Sequence, residues 1–226
     1  MWTTSTSGML PPYTFGDTEA RVPDRTTYHH GDLRAALIEA GLDLTRCGGP
    51  GALTIREVTR RVGVSPNAAY RHFADRDSLL EEVRVAIHNR MADGMAPDDP
   101  RAGPMARLRA VGMGYVEFAL SEPGWFSVAF FGEPAADHVA RPFPAPLWEL
   151  LSTLDRMVYA GQLSPAQRIG AEWSCFAAVH GFAELALHGP LKDLPHDELR
   201  HIAGQVVDTA IAGVTTYVPP ATANER

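Results

Sequence analysis

The 226-residue chain is predicted to be all-helical, and three observations predict it. Apolar residues recur at three- and four-residue spacing, no stretch alternates with the period of two that a half-buried strand needs, and Gly or Pro separates the periodic segments. The segment the rest is arranged around, Leu53 to Phe73 (LTIREVTRRVGVSPNAAYRHF), reads as two short helices joined by a tight turn. The punctuation divides the chain into a mobile arm (1–27), a helix-turn-helix domain (28–75), a linking helix (76–92), a larger helical body (93–218) and a tail (219–226).

Residues 1 to about 27 are rich in Thr, Ser, Pro and Gly without periodicity. Arg21 and Arg25 could touch DNA phosphate from such an arm, although a solvated tail is the simpler reading. A first helix is expected from near Gly31 to Cys47, with Leu33, Leu37, Ala40, Gly41 and Leu44 on one face and the Gly-Gly-Pro-Gly that follows as its stop. Its N-terminal amides suit a phosphate, and His29 and His30, being adjacent, lack metal-ligand spacing.

Thr54 is a good N-cap, and Glu57 is placed to complete a capping box. Val58 and Val62 mark the buried face of a helix that ends at Gly63. Ser65 caps the next helix, with Pro66 at its first position. That helix, Pro66 to about Phe73, is too short and polar to stand alone. It buries Ala69, Tyr70 and Phe73 and leaves Asn67, Arg71 and His72 facing outward. A short helix that presents hydrogen-bonding side chains and is propped on another helix is what the DNA major groove admits.

GVSPNAAYRHFADRDSLL resembles the recognition-helix region of TetR-type regulators through Gly63, Val64, Ser65, Tyr70, His72, Phe73 and Arg76. YHHGDLRAALIEAGLDL resembles the same family's first helix, and Trp173 with His180-Gly181 resembles its subgroup with a Trp…His-Gly (WHG) C-terminal domain. The chain departs from the family pattern at Thr59, Ala69 and Arg76. The resemblance implies a DNA-reading head, a ligand-sensing body and a linking helix between them. It also implies a cytoplasmic, dimeric regulator, by default a repressor, that small-molecule binding releases from a palindromic operator.

By that resemblance Thr54 and Arg56 lie at the DNA, with Arg56 on base or phosphate, while Asn67 and Ala68 face base edges. Ser65, Tyr70, His72 and Arg76 hold phosphates, and Arg71 does either. One such helix reads too little to select a genomic site, so two heads on duplex DNA are expected.

Asp75 or Asp77 caps the linking helix, on which Leu79, Leu80, Val83 and Ile87 repeat at helical spacing to about Met91. Helices follow from Met105 to about Ser121 and from Pro146 to about Ala160. Between them lie a very apolar segment from Trp125 to Phe131 and a Pro-rich loop over 133–143. The last two helices are expected at about Pro165–His188 and Pro195–Val218. Both are apolar on two sides, and small residues allow close contact. They are therefore expected to form a four-helix homodimer interface through Gly170, Ser174, Ala177, Gly181, Val207, Ile211 and Val214. Ordinary core helices within one protomer are the alternative.

The resemblance further implies an apolar cavity in the body, for which Met113, Phe118, Trp125, Phe130, Trp148, Trp173, Phe176 and His180 are the candidates. Any one of them could instead fill core. His180, Glu184 and His188 follow one another at four-residue steps, but no fourth ligand is evident. His180 is better read as a polar group in the pocket or one satisfied in the core, and neither metal nor cofactor is expected.

The net charge of −7 is unevenly spread. Residues 21–90 carry eleven Arg against nine acids, whereas residues 91–226 carry nine basic residues against sixteen acids. This places the positive charge with the DNA-reading motif. No apolar run approaches the ~20 residues of a membrane span, and the N-terminus lacks signal-peptide character. Cys47 and Cys175 suit a reducing cytoplasm and read as small buried side chains. Catalysis has no recognisable motif here: no Gly-x-Ser-x-Gly elbow, phosphate-cradling loop, His-Glu-x-x-His or paired-Cys spacing. An activator of the same fold, a helical enzyme built from scattered residues and a DNA-packaging protein are the competing readings.

Overall fold

The computed structural model describes residues 33–130 and 144–217, and the regular structure among them is helical throughout. The expected arm with Arg21 and Arg25, the His29–His30 pair, the loop over 133–143 and the tail 219–226 lie outside the described residues.

The first helix, α1 (Leu33–Gly48), gives way to a single 3-10 turn at Pro50–Ala52. Thr54 starts α2 (Ile55–Val62) by accepting the Glu57 amide at 3.2 Å. The reciprocal half of the expected capping box is not made. The Glu57 carboxylate turns instead to Arg60, at 2.9 and 2.5 Å, where a bidentate guanidinium offers more than one backbone amide. At the far end, the amides of Gly63 and Val64 both close on the Thr59 carbonyl. The Thr59 hydroxyl folds back onto the Ile55 carbonyl at 2.8 Å, so a Thr is buried there without an unpaired polar atom.

The next helix, α3 (Pro66–Ala69), is shorter than the expected Pro66–Phe73. Its single turn closes through the Tyr70 amide on Pro66, and the chain then tightens so that the His72 and Phe73 amides share the Ala69 carbonyl. Of the two candidate caps for α4 (Arg76–Asp93), Asp75 is the one used, in a capping box with Ser78.

Behind α3, Ala69 and Phe73 join Leu37, Leu42, Val58, Leu79, Val83 and Ile87 in one buried cluster. A second cluster fills the space among α5 (Pro104–Ser121), α7 (Ala145–Tyr159), α9 (Ala171–Leu187) and α10 (His196–Thr216). The short α6 (Pro123–Phe130) serves both. Trp125, Val128 and Ala129 complete the first cluster while Phe126 belongs to the second, which is why this segment is apolar on every side.

The helix expected from Pro165 to His188 is two helices. Ser164 and Gln167 form a capping box on α8 (Pro165–Arg168), and Gly170, at φ 76°, breaks the chain before α9. A left-handed residue six positions into a run cannot continue a right-handed helix.

The residues expected at the interface divide in the protomer. Val207 and Val214 are buried in their own protomer's core, Ile211 packs against that core, and Gly170 is a non-helical cap. Ser174, Ala177 and Gly181 are exposed. Cys175 is buried as expected, but Cys47 is exposed, because it lies in the last turn of α1 on the side away from α4 and α6.

Candidate nucleic-acid interface and apolar cavity

The arginines of the head sort into two groups. Arg34, Arg46, Arg60, Arg61, Arg76, Arg84 and Arg90 each pair with a carboxylate. Among the described residues, Arg56 at the start of α2 and Arg71 just after α3 make no such pair, and both are exposed. Ser65, Asn67 and His72 are exposed beside them, and Ala68 is half-buried. The Ser65 hydroxyl makes no capping bond, and the Tyr70 ring is 53% exposed. The α2–α3 unit thus presents two uncommitted cations, one near each end of its sequence, with exposed neutral hydrogen-bonding groups between them. That combination suits a polyanion with readable edges.

Arg76 behaves differently. Its guanidinium donates to the carbonyls of Leu53 (3.0 Å) and Pro50 and to the Asp77 carboxylate (2.7 Å), so two nitrogens brace the loop before α2 and the third is held by α4. This corrects its assignment to phosphate. Thr54 is likewise occupied as the α2 cap.

Trp125 joins this head to the rest. Its indole Nε1 donates to the Leu42 carbonyl of α1 at 2.9 Å, its ring stacks on Phe118 at 6.4 Å, and the guanidiniums of Arg46 and Arg90 lie 5.2 and 5.1 Å from its centre. Arg46 also forks onto Glu122, with Nε at 2.7 Å from the carboxylate. From α4, Arg84 reaches the Val128 carbonyl of α6 at 2.9 Å while paired with the buried Glu81. The helix α6 is therefore tied by polar bonds to both α1 and α4.

On the other side of α6 lies a cavity of about 120 Å³, walled by side chains such as Leu108, Val111, Phe130, Phe176 and Val179. Among the described residues its polar-capable lining is small: His88 of α4, Tyr115 of α5 and Cys175 of α9. The Tyr115 hydroxyl is taken by His180 Nδ1 at 2.8 Å, and burial raises its pKa. Burial also pushes the Cys175 thiol up to about 11, leaving it protonated and unreactive.

Burial, helped by the positive charge of Arg84, holds the His88 pKa below its ordinary value. An unfolded chain therefore takes a proton at this position that the folded chain resists. Stability should be full above about pH 6.5 and fall as pH drops below it. Urea midpoints measured against pH should show this loss in the wild type and a flatter curve in His88→Phe; parallel curves would assign the acid sensitivity elsewhere.

Two family models match the chain: "Bacterial regulatory proteins, tetR family" over residues 37–83 and "Tetracyclin repressor-like, C-terminal domain" over residues 108–210. The chain belongs to the TetR family. TetR-family proteins are DNA-binding transcriptional regulators and not enzymes, and this chain is one of them. No curated protein matches it.

Among solved structures, a protein of unknown function from Rhodococcus sp. RHA1 is 27% identical, with a TM-score of 0.66 over 85% of this chain and 100% of that one. A TetR variant from Acinetobacter baumannii AYE in complex with minocycline is 21% identical (TM-score 0.58, 79% and 94% covered). FadR from Bacillus subtilis in complex with stearoyl-CoA is 13% identical (TM-score 0.63, 79% and 98% covered). The last two share the fold.

In this TetR-family chain the expected cavity residues divide. Phe130 and Phe176 line the cavity. His180 stands behind its wall, bonded to Tyr115 and stacked on Phe176 at 5.2 Å, which is the core-satisfied alternative. Met113 and Phe118 pack in the core, and Trp125 is the α1–α6 joint. Trp148 and Trp173 are 61% and 59% exposed and face away from the cavity, because each lies on the outer side of its helix.

His188 pairs with Glu184 at 3.2 Å, and with His180 committed to Tyr115 the three do not gather as ligands. Among the described residues no three metal-ligand side chains gather, and no helix is long and apolar enough to cross a membrane. The residue that sequence reasoning missed is His88. Its signal was a polar strip, Glu81, Arg84 and His88, at helical spacing beside the apolar Leu80, Val83 and Ile87 of the linking helix.

Proposed function

We propose that this regulator is a cytoplasmic homodimeric repressor of the WHG subgroup, released from a palindromic operator when a small apolar molecule fills its cavity. The observation that carries the DNA reading is the pairing pattern: of the head's arginines, Arg56 and Arg71 alone among the described residues are left without a carboxylate, and they lie at the start of α2 and just after α3. In this reading Asn67 and Ala68 meet base edges. Ser65, Tyr70, Arg71 and His72 meet phosphates, and Arg56 meets either.

Ligand response is supported by the cavity's place against α4, the helix that carries the head. Two proteins of the same fold are also solved with small molecules bound, minocycline in one and stearoyl-CoA in the other. Filling the cavity shifts the population toward an arrangement in which α4 and α6 carry the two heads off groove spacing. Successive major-groove faces lie about 34 Å apart, so a displacement of a few ångströms suffices.

Dimerisation is supported by the outer face of α9. Trp173 and Leu185 are exposed there with the small residues Ser174, Ala177 and Gly181, and Ile169 (84% exposed) precedes the helix. A groove of about 320 Å³ lined by Ile169, Ser174, Gly213 and Tyr217 opens next to them. An apolar patch of this kind with small residues at its centre suits a second copy packed helix against helix. Gly181→Leu is expected to sediment as a monomer and to lose operator affinity; an intact dimer would point to another interface.

A further inference from the structure

Three aromatic rings wall the cavity beside α6. Those of Tyr115, Phe130 and Phe176 stand within 6.3 Å of one another, centroid to centroid, in tilted and edge-on pairs. The Tyr115 hydroxyl is tied to His180 Nδ1 at 2.8 Å, and His180 is not part of the lining. The rings thus brace one another around a space that is already formed.

We infer that the cavity takes an uncharged hydrocarbon about the size of one aromatic ring, with no hydrogen-bonding group of its own. The inference rests on the ligand-responsive reading above and deepens it by naming the chemical class.

Three observations choose this class. The volume, about 120 Å³, is that of one compact molecule. A protein cavity of about 150 Å³ lined by Leu, Ile and Phe stays dry and admits benzene. Among the described residues no lysine, arginine, aspartate or glutamate lines the space, so an ion would enter without a counter-charge.

The third observation is how little the polar-capable side chains offer a guest. The Tyr115 hydroxyl is spent on His180, and the Cys175 thiol stays protonated and is a weak partner. Nε2 of His88 is buried, out of a guest's reach. A guest hydroxyl would therefore give up its bonds to water without a matching return, a penalty that falls on phenol and not on toluene. A hydrocarbon gives up no such bonds and gains from the area it buries. His88 lies on α4 and Phe130 on α6, so the guest packs against the linking helix and against the helix tied to it.

Sealed-cell calorimetric titration of the full-length wild type with toluene, phenol and benzoate tests this at about pH 7.5, where phenol is neutral and benzoate charged. Toluene should bind about tenfold or more tightly than phenol, and benzoate should not bind. Val179→Phe, which fills the space from α9, should abolish toluene binding. Leu147→Trp does the same from a half-buried position on α7 and carries the test if Val179→Phe does not fold. Phenol or benzoate bound as tightly as toluene overturns the class. Toluene bound equally by the wild type and Leu147→Trp overturns the site, and absence of binding by all three compounds overturns the inference outright. Release of operator DNA is read separately by anisotropy. Toluene bound without release sustains this inference and contradicts the ligand-responsive reading, whereas release by benzoate alone does the reverse.

Discussion

Trp125→Ala is expected to lose about 3–5 kcal/mol of stability, the usual cost of truncating a buried tryptophan. Trp125 is 7% exposed, closes the head's core with Val128 and Ala129, and gives its indole hydrogen to the Leu42 carbonyl at 2.9 Å. Removing it opens a cavity between α1 and α6 and takes the aromatic surface from beneath Arg46 and Arg90. The neighbouring residue shows how closely the two helices approach. A Cβ placed on Gly124 would lie 2.1 Å from the Arg46 carbonyl oxygen, and a backbone atom cannot yield as a flexible side chain does.

A milder change separates packing from coupling. Trp125→Phe keeps most of the ring and loses the bond to α1, so about 1–2 kcal/mol should go. If α6 carries the signal, ligand-induced release from DNA should weaken in this variant while operator affinity holds. Denaturant unfolding followed in parallel with anisotropy checks both. A Trp125→Ala protein as stable as the wild type would remove α6 from the head's core.

How much of this was legible in the sequence depends on whether a residue's role is set locally or by what packs on it. Thr54, Gly63, Asp75 and Pro66 act within one turn of chain, and their types place the caps and the helix start. Glu57 had two local partners to choose from, the Thr54 backbone and Arg60, and spacing alone did not rank them.

The break at Gly170 was written in the chain as Ser164-Pro165-x-Gln167 followed by glycine, but the apolar periodicity on either side overrode it. The cavity was least legible. Aromatic residues identify apolar surface without saying which side of a helix faces inward, so Trp148 and Trp173 were indistinguishable from Phe130 and Phe176 until the helices were placed. His88 was hidden for the opposite reason, being a polar residue whose burial comes from α6 and not from its own helix.

The second large effect is expected at the DNA. Arg56→Ala with Asn67→Ala removes an unpaired cation and a side chain suited to adenine from each half-site. At about 1–3 kcal/mol for each base contact, two heads should together lose at least a hundredfold in operator affinity. Both residues are exposed, so unfolding midpoints should stay within about 0.5 kcal/mol of the wild type. Arg71→Ala should instead weaken binding on all sequences and shallow the salt dependence by about one counterion per head.

The most direct test is a hydroxyl-radical footprint of the wild type and of the Arg56→Ala/Asn67→Ala variant on the DNA flanking this protein's own gene. The wild type should protect two patches on one face of the duplex about one helical turn apart, and the variant should protect neither at the same concentration. Identical protection by both proteins would contradict the assignment of the α2–α3 surface as the part that reads DNA.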